Sequence, residues 1–199
     1  MDGKEIVRKG YDIISAKYSL ARSRFKNGKE LSEFSKLLPA GAKVLDVGCG
    51  AGVPVSKYLS RKGFDVTGID FSHSMVELAR KNVPEAEFIR ADMTKLSFPK
   101  ESFDGLVALY SIIHVPREKH RKLFRDFHRI LKKGAVVLVC LGADEWEGTA
   151  NFFGTEMFWS QNSPENSLEI IKGAGFSVIS GKVLVRGGER HYWVLARKK

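Results

Sequence analysis

The chain has 199 residues, enough for one domain of common size with a full hydrophobic core. Hydrophobic residues make up 43% and charged residues 28%, which excludes a disordered chain, and no apolar run approaches the ~20 residues of a membrane span. A formal charge of +10 leaves nucleic acid, an anionic surface or an acidic substrate open as partners, although acidic residues interleave with most of the lysines and arginines, as on a solvated face.

The N-terminus, MDGKEIVRKG, is charged and lacks the apolar core of a signal peptide. Only two cysteines occur, Cys49 and Cys140, so a cytoplasmic setting is expected, with no disulfide or zinc framework. Residues 4–37 read as helix, with Ile6, Tyr11, Ile14, Tyr18 and Phe25 at near-helical spacing, a break at Asn27-Gly28, and an end at Pro39-Ala40-Gly41. From there strands and helices alternate: strand 43–47, helix 54–62, strand 65–69, helix 73–82, strand 87–90, strand 103–109, helix 117–131 and strand 135–141. Such alternation with short connections implies a parallel sheet covered on both faces. Runs such as Val136-Val137-Leu138-Val139 suit strands buried on both sides. Residues 142–164 show no clear period. A helix over 164–173 follows, then extended runs at 176–185 and 190–197 around Gly187-Gly188, a hairpin signal that makes the last strand antiparallel.

Function is most legible in residues 44–52, VLDVGCGAG: a strand, then glycines at alternate positions, then a helix. Gly48, Gly50 and Gly52 let the backbone turn sharply and let a ligand approach main-chain N–H groups. The dinucleotide spacing G-x-G-x-x-G would need glycine at position 53, which is Val53. Asp46 argues further against a pyrophosphate, because its carboxylate repels phosphate and attracts an ammonium or sulfonium group. S-adenosylmethionine carries both cations, with an adenosine at its other end. Asp70 closes the second strand, where a carboxylate accepts hydrogen bonds from both ribose hydroxyls, or caps the following helix, a role for which Ser72 is the better candidate with Met75 in the first turn. Asp92 and Met93 end the third strand, where a carboxylate beside a backbone N–H complements the adenine edge; Asp92 as a helix cap is the alternative.

With these segments in hand the chain resembles a class I S-adenosylmethionine-dependent methyltransferase, of the small-molecule type that includes ubiquinone/menaquinone-biosynthesis-like enzymes. The resemblance rests on VLDVGCGAG (44–52), VTGIDFS (66–72), FIRADM (88–93), FDGLVALYSIIHV (103–115) and RILKKGAVVLV (129–139). It implies a three-layer Rossmann-like α/β fold with a seven-stranded, mainly parallel sheet of order 3-2-1-4-5-7-6 and an antiparallel last strand. It implies one methyltransferase domain over 1–199, with a helical cap (1–40), a cofactor-binding core (41–141) and an acceptor-side segment with a C-terminal hairpin (142–199). Phe71 and Met93 would sandwich the adenine, Met75 would join them, and Leu109 and Tyr110 would stand beside the sulfonium. The N-terminal helix would cover the cofactor through Tyr11, Tyr18 and Arg22.

His114 could deprotonate an acceptor or pack as a structural residue, and Tyr18 is the second catalytic candidate. Acceptor recognition is assigned to Tyr18, Arg22, Trp146, Trp159 and Tyr192, largely by their position in or near the aromatic segment 142–164. The chain lacks the D/N-P-P-Y/F motif of many amino-group methyltransferases and lacks an Asp/Asn cluster suited to Mg²⁺, so no metal is expected. A small-molecule acceptor is the expected partner, an RNA acceptor the alternative suggested by charge, and a non-catalytic binding protein a third reading.

Overall fold

The computed structural model describes residues 2–22, 27–186 and 188–199. Phe25 and Gly187, used above as helix and hairpin signals, lie outside the described residues. The first helical region is two helices, α1 (Gly3–Arg22) and α2 (Gly28–Ser35). There follow β1 (Lys43–Val47), α3 (Val55–Arg61), β2 (Asp65–Asp70), α4 (His73–Asn82), β3 (Glu87–Arg90) and β4 (Phe103–Ala108). Then come α5 (His120–Ile130), β5 (Leu131–Gly142), β6 (Trp146–Phe152), β7 (Thr155–Gln161), α6 (Pro164–Gly173), β8 (Phe176–Arg186) and β9 (Glu189–Lys198). Among the described residues no helix is long and apolar enough to cross a membrane.

Seven strands form one sheet in the order β3-β2-β1-β4-β5-β9-β8, parallel except for β9, which runs antiparallel to both neighbours. This is the expected topology, with β9 as the antiparallel strand. The helix starts follow from local chemistry. Ser72 caps α4 by accepting from the Met75 N–H at 3.2 Å, and Ser163 caps α6 ahead of Pro164.

Alternation along the strands divides the core. Leu45, Val47, Leu106, Val137 and Val139 face α5 and α6, packing with Phe124, Phe127, Ile171 and Phe176. Val44, Val66, Val107, Val136 and Leu138 face the other way, against Leu31, Phe34 and Leu59 of α2 and α3. Each fully buried phenylalanine holds ~3–5 kcal/mol against truncation to alanine.

The aperiodic segment is ordered, which the sequence did not reveal. β6 and β7 form a separate antiparallel hairpin, paired from Trp146↔Gln161 to Phe152↔Thr155. α1 lies along β7: a Cβ on Gly10 would meet Met157 Cε at 2.8 Å and the Glu156 carbonyl oxygen at 3.3 Å, so glycine leaves room for the Met157 side chain between helix and strand. Together α1 and the hairpin roof over the carboxyl ends of β1 and β4. Strand order reverses between those two strands, which opens a crevice there.

Candidate active site

Two cavities lie under this roof. The first runs over the ends of β1, β2 and β4 and encloses about 860 Å³ of empty space, open solvent included. Gly48, Gly50, Asp70, Phe71, Met75, Asp92, Met93, Leu109, Tyr110 and Tyr11 all line it. Gly48 sits at φ +72°, and a Cβ there would come within 2.2 Å of Ser111 Cβ, so the loop needs glycine for both conformation and space. Gly48 and Cys49 both give their N–H to the Ile69 carbonyl, at 2.8 and 3.0 Å, which ties the loop to β2.

Asp70 is held at both oxygens: Gly50 N–H donates to Oδ2 and Ser72 N–H to Oδ1, each at 2.9 Å. Burial lifts its carboxyl above the ordinary range, and these N–H groups oppose the rise. Asp92 caps a short 3₁₀ turn (Met93–Lys95) through Oδ1, which accepts from the Thr94 N–H at 2.9 Å and hydroxyl at 2.8 Å; Oδ2 receives Lys4 Nζ from α1. Burial disfavours the charge on Asp92, but the bonds from Lys4 and Thr94 outweigh it and hold the carboxyl below its usual range. The cleft thus offers two fixed carboxylates with an aromatic ring and a thioether between them. That set fits the hydroxyls and adenine edge of an adenosyl group, and Lys4, Arg8 and Lys119 stand on the same wall.

Two expected donor-site residues do not reach this cleft. Asp46 shares a strand face with Val44, so it points beneath α3 and is only 1% exposed. Its Oδ2 accepts the Ser56 hydroxyl at 2.6 Å, and burial raises its carboxyl to about 7. Gly52 turns instead against Val83 and Phe88, at 3.1 and 3.2 Å from its would-be Cβ, and closes the packing between the loop and α4.

The second cavity lies between α1, the β6–β7 hairpin and the start of β9. Tyr18, Arg22, Trp146 and Trp159 line it, together with Phe152, Ile113, Gln161, Glu189, Arg190 and His191. Tyr192 does not. It belongs to the opposite face of β9 and packs in the α5/α6 core, while its neighbour His191 faces the cavity. His191 was missed because parity on an antiparallel strand depends on register, here Gly142↔His191 and Leu141↔Tyr192. Tyr11, Tyr18, Tyr110 and His114 line both cavities and form the junction between them.

The junction is held by several direct contacts. Tyr110 adopts φ +57°, which a residue with a side chain rarely does, and carries the Arg22 guanidinium 3.6 Å above its ring. His114 Nδ1 lies 2.7 Å from the Phe158 carbonyl, which can only accept, so Nδ1 carries the proton. Nε2 is therefore the bare nitrogen and accepts the Tyr11 hydroxyl at 2.8 Å. Burial lowers the His114 pKa to about 4 and raises the Tyr11 phenol well above 10, so both are neutral near pH 7. Besides Lys4 and Tyr11, α1 is latched by Asp12, whose Oδ1 accepts the Ser72 hydroxyl at 2.6 Å. Among the described residues no cluster of metal-ligating side chains occurs.

Strand order, glycine bend and carboxylate-lined cleft define a Rossmann-like methyltransferase fold. Residues 44–134 match a methyltransferase-domain family model. The phosphatidylethanolamine N-methyltransferase of Cereibacter sphaeroides is 36% identical over 105 residues, 50% of this chain and 50% of that protein. The tRNA (carboxymethyluridine(34)-5-O)-methyltransferase of Arabidopsis thaliana is 30% identical over 149 residues, 74% of this chain and 35% of that protein. A sterol 24-C-methyltransferase of Gibberella zeae is 33% identical over 112 residues, 53% of this chain and 28% of that protein. The chain thus spans about half or less of the length of these relatives. Among solved structures, magnesium protoporphyrin IX methyltransferase from Synechocystis with bound S-adenosylmethionine shares the fold, with TM-score 0.76 and 18% identity over 100% of this chain and 98% of the other. A methyltransferase from Methanosarcina mazei does so with TM-score 0.73 and 23% identity over 82% and 95%. Over residues 44–134 the chain is thus similar to methyltransferase domains, and its fold is that of S-adenosylmethionine-dependent methyltransferases of known structure.

Proposed function

We propose that this protein transfers a methyl group from S-adenosylmethionine to a small acceptor held in the aromatic cavity. One observation carries the reading: two separate cavities, one suited to a nucleoside and one walled by aromatic rings, meet at Tyr11, Tyr18, Tyr110 and His114. When bound, the donor supplies a methyl group activated by a positively charged sulfur. Asp70 would accept the ribose hydroxyls, Asp92 and the Met93 backbone would meet the adenine edge, and Phe71 and Met93 would cover its faces. Leu109 and Tyr110 would border the sulfonium end.

The chain's own contribution is alignment and exclusion of water, which is worth up to ~7–11 kcal/mol when two reactants are fixed in line. α1 and the hairpin close over the junction, and Trp159, Phe152 and Tyr18 hold the acceptor's apolar body. Removal of the acceptor's proton falls to Tyr11 and His114. Tyr11 would pass its hydroxyl proton to His114 Nε2 while taking the acceptor's proton onto its oxygen. A base as weak as His114 accepts a proton only from a group already made acidic by bond formation, so proton loss follows or accompanies methylation. An RNA acceptor is the second reading, motivated by the charge of +10 and the tRNA-modifying relative. Binding that weakens steeply with salt would favour it.

Calorimetry with S-adenosylhomocysteine tests the donor assignment. The expected result is binding to the wild type, at least tenfold weaker in Asp70→Asn. No affinity for it, alongside uptake of a nicotinamide dinucleotide, would overturn the reading.

A further inference from the structure

We propose that the acceptor is an apolar small molecule carrying a carboxylate remote from its methyl-accepting atom, with that carboxylate seated at Arg22 and His191. This rests on the methyl-transfer reading above and adds the substrate class.

The acceptor cavity is polar at one end and apolar along its length. At the junction stand Tyr11 and His114, where the accepting atom must lie. The walls are Trp146, Phe152 and Trp159, with Phe152 and Trp159 edge-to-face at 5.5 Å. Beyond Tyr110 the character changes: its ring carries the Arg22 guanidinium at 3.6 Å and meets the His191 ring edge-on at 4.9 Å. The guanidinium is pre-oriented by that stacking and by Nε donating to the Tyr18 hydroxyl at 2.8 Å. His191 is 6% exposed, lines the cavity, and its buried Nδ1 has no hydrogen-bond partner. An unsatisfied buried ring nitrogen costs ~1–3 kcal/mol, a penalty that a ligand oxygen at this place removes.

Sign follows from the neighbouring charges. Burial, reinforced by the nearby Arg22 charge, lowers both His114 and His191 to about 4, so both rings are neutral at pH 7. Arg22, half-buried and stacked on Tyr110, is then a cation held in place on the cavity wall. Glu189 and Arg190 also line it, but their side chains are 46% and 59% exposed and are screened by water. An ammonium placed beyond Tyr110 would face Arg22 at low dielectric. A carboxylate there meets a planar cation, and bonds His191 Nδ1 when that nitrogen carries the ring proton.

The test uses three phenols of nearly equal size: 4-hydroxybenzoate, its methyl ester and 4-(aminomethyl)phenol. Each is titrated into protein saturated with S-adenosylhomocysteine at pH 7, with tryptophan fluorescence as the readout. The expected result is that the anion binds at least tenfold more tightly than the ester and the amine binds weakest. Arg22→Met should bring the anion to the level of the ester, Arg22→Lys should restore part of the difference, and His191→Phe should weaken the anion about fivefold while sparing the ester. Because every titration starts from protein loaded with adenosylhomocysteine, the anion-to-ester ratio is independent of any change in donor affinity relayed through Tyr110 or Tyr18. Equal or tighter binding of ester or amine, an anion advantage that survives Arg22→Met, or no binding of any phenol to the loaded protein would overturn the proposal. Failure of the wild type to bind adenosylhomocysteine would overturn the methyl-transfer reading itself, and the proposal with it.

Discussion

Deleting the Tyr11 hydroxyl isolates the bond that joins the roof to the junction. In Tyr11→Phe the ring keeps its edge-on contacts with Tyr18 at 5.1 Å and His114 at 5.4 Å, so packing is nearly unchanged. What is lost is the 2.8 Å bond to His114 Nε2, which leaves a buried acceptor without a donor, together with the hydroxyl's hydrogen bond to Tyr18, which the double-variant comparison cancels. That costs ~1–3 kcal/mol, or roughly 2–12 °C in melting temperature for a chain of this size. His114→Leu removes the other partner, and the double variant removes both. Because Phe cannot miss a nitrogen that Leu lacks, the two losses should overlap, with a coupling of about 1–2 kcal/mol in urea denaturation. Hydrogen exchange should show the same loss as faster exchange in α1. A coupling below ~0.5 kcal/mol, the ordinary error of additivity, would refute the pairing and with it the proposed proton route.

Other outcomes follow from the same geometry. Gly48→Ala must fit a Cβ 2.2 Å from Ser111 Cβ at φ +72°; it should lower stability by at least ~1–2 kcal/mol, and donor affinity should fall with it in calorimetry. His114 and His191 have folded pKa values of about 4, below the ordinary 6.5, so as pH falls from about 6.5 to 4 the unfolded chain takes up protons that the native state refuses and each residue reduces stability. His191→Phe should therefore flatten the stability–pH curve by up to ~1.4 kcal/mol per pH unit in that window, and an unchanged slope would contradict its burial as a neutral ring. Asp46 behaves oppositely, since its folded pKa of about 7 lies above the ordinary 3.8 and its ionisation destabilises the fold as pH rises through that range. Asp46→Asn should gain stability relative to wild type between pH 5 and pH 8, measured by urea midpoints at each pH.

The parallel sheet and its helices were legible because buried parallel strands are written as apolar runs and their helices as amphipathic repeats, whereas the strand order came from the family resemblance. The glycine bend and Asp70 were legible for the same reason: they sit at fixed places relative to a strand end. The β6–β7 hairpin was not, because most of its residues are exposed or half-buried, with only Met157 and Ser160 fully inside, so no two-residue period stands out. Asp46 shares its strand parity with Val44, which alone places its carboxylate on the buried face and away from the cleft. Tyr192 and His191 could not have been separated in advance, since which one faces the cavity depends on a pairing with β5 made across the sheet. Nor does any residue pattern announce that Tyr110 adopts a positive φ and stacks on a cation from α1.

The central claim is a methyl group moving from one cavity to the other across Tyr11, Tyr18, Tyr110 and His114. Its most direct measurement is transfer of label from S-adenosylmethionine, tritiated in the methyl group, into low-mass fractions of cell extract after nuclease treatment. Wild-type protein should label a small molecule, and Asp70→Asn and Trp159→Ala should both abolish the signal, the first through the donor cleft and the second through the acceptor cavity. Label confined to nuclease-sensitive material, or no label from a protein that binds adenosylhomocysteine normally, would contradict it.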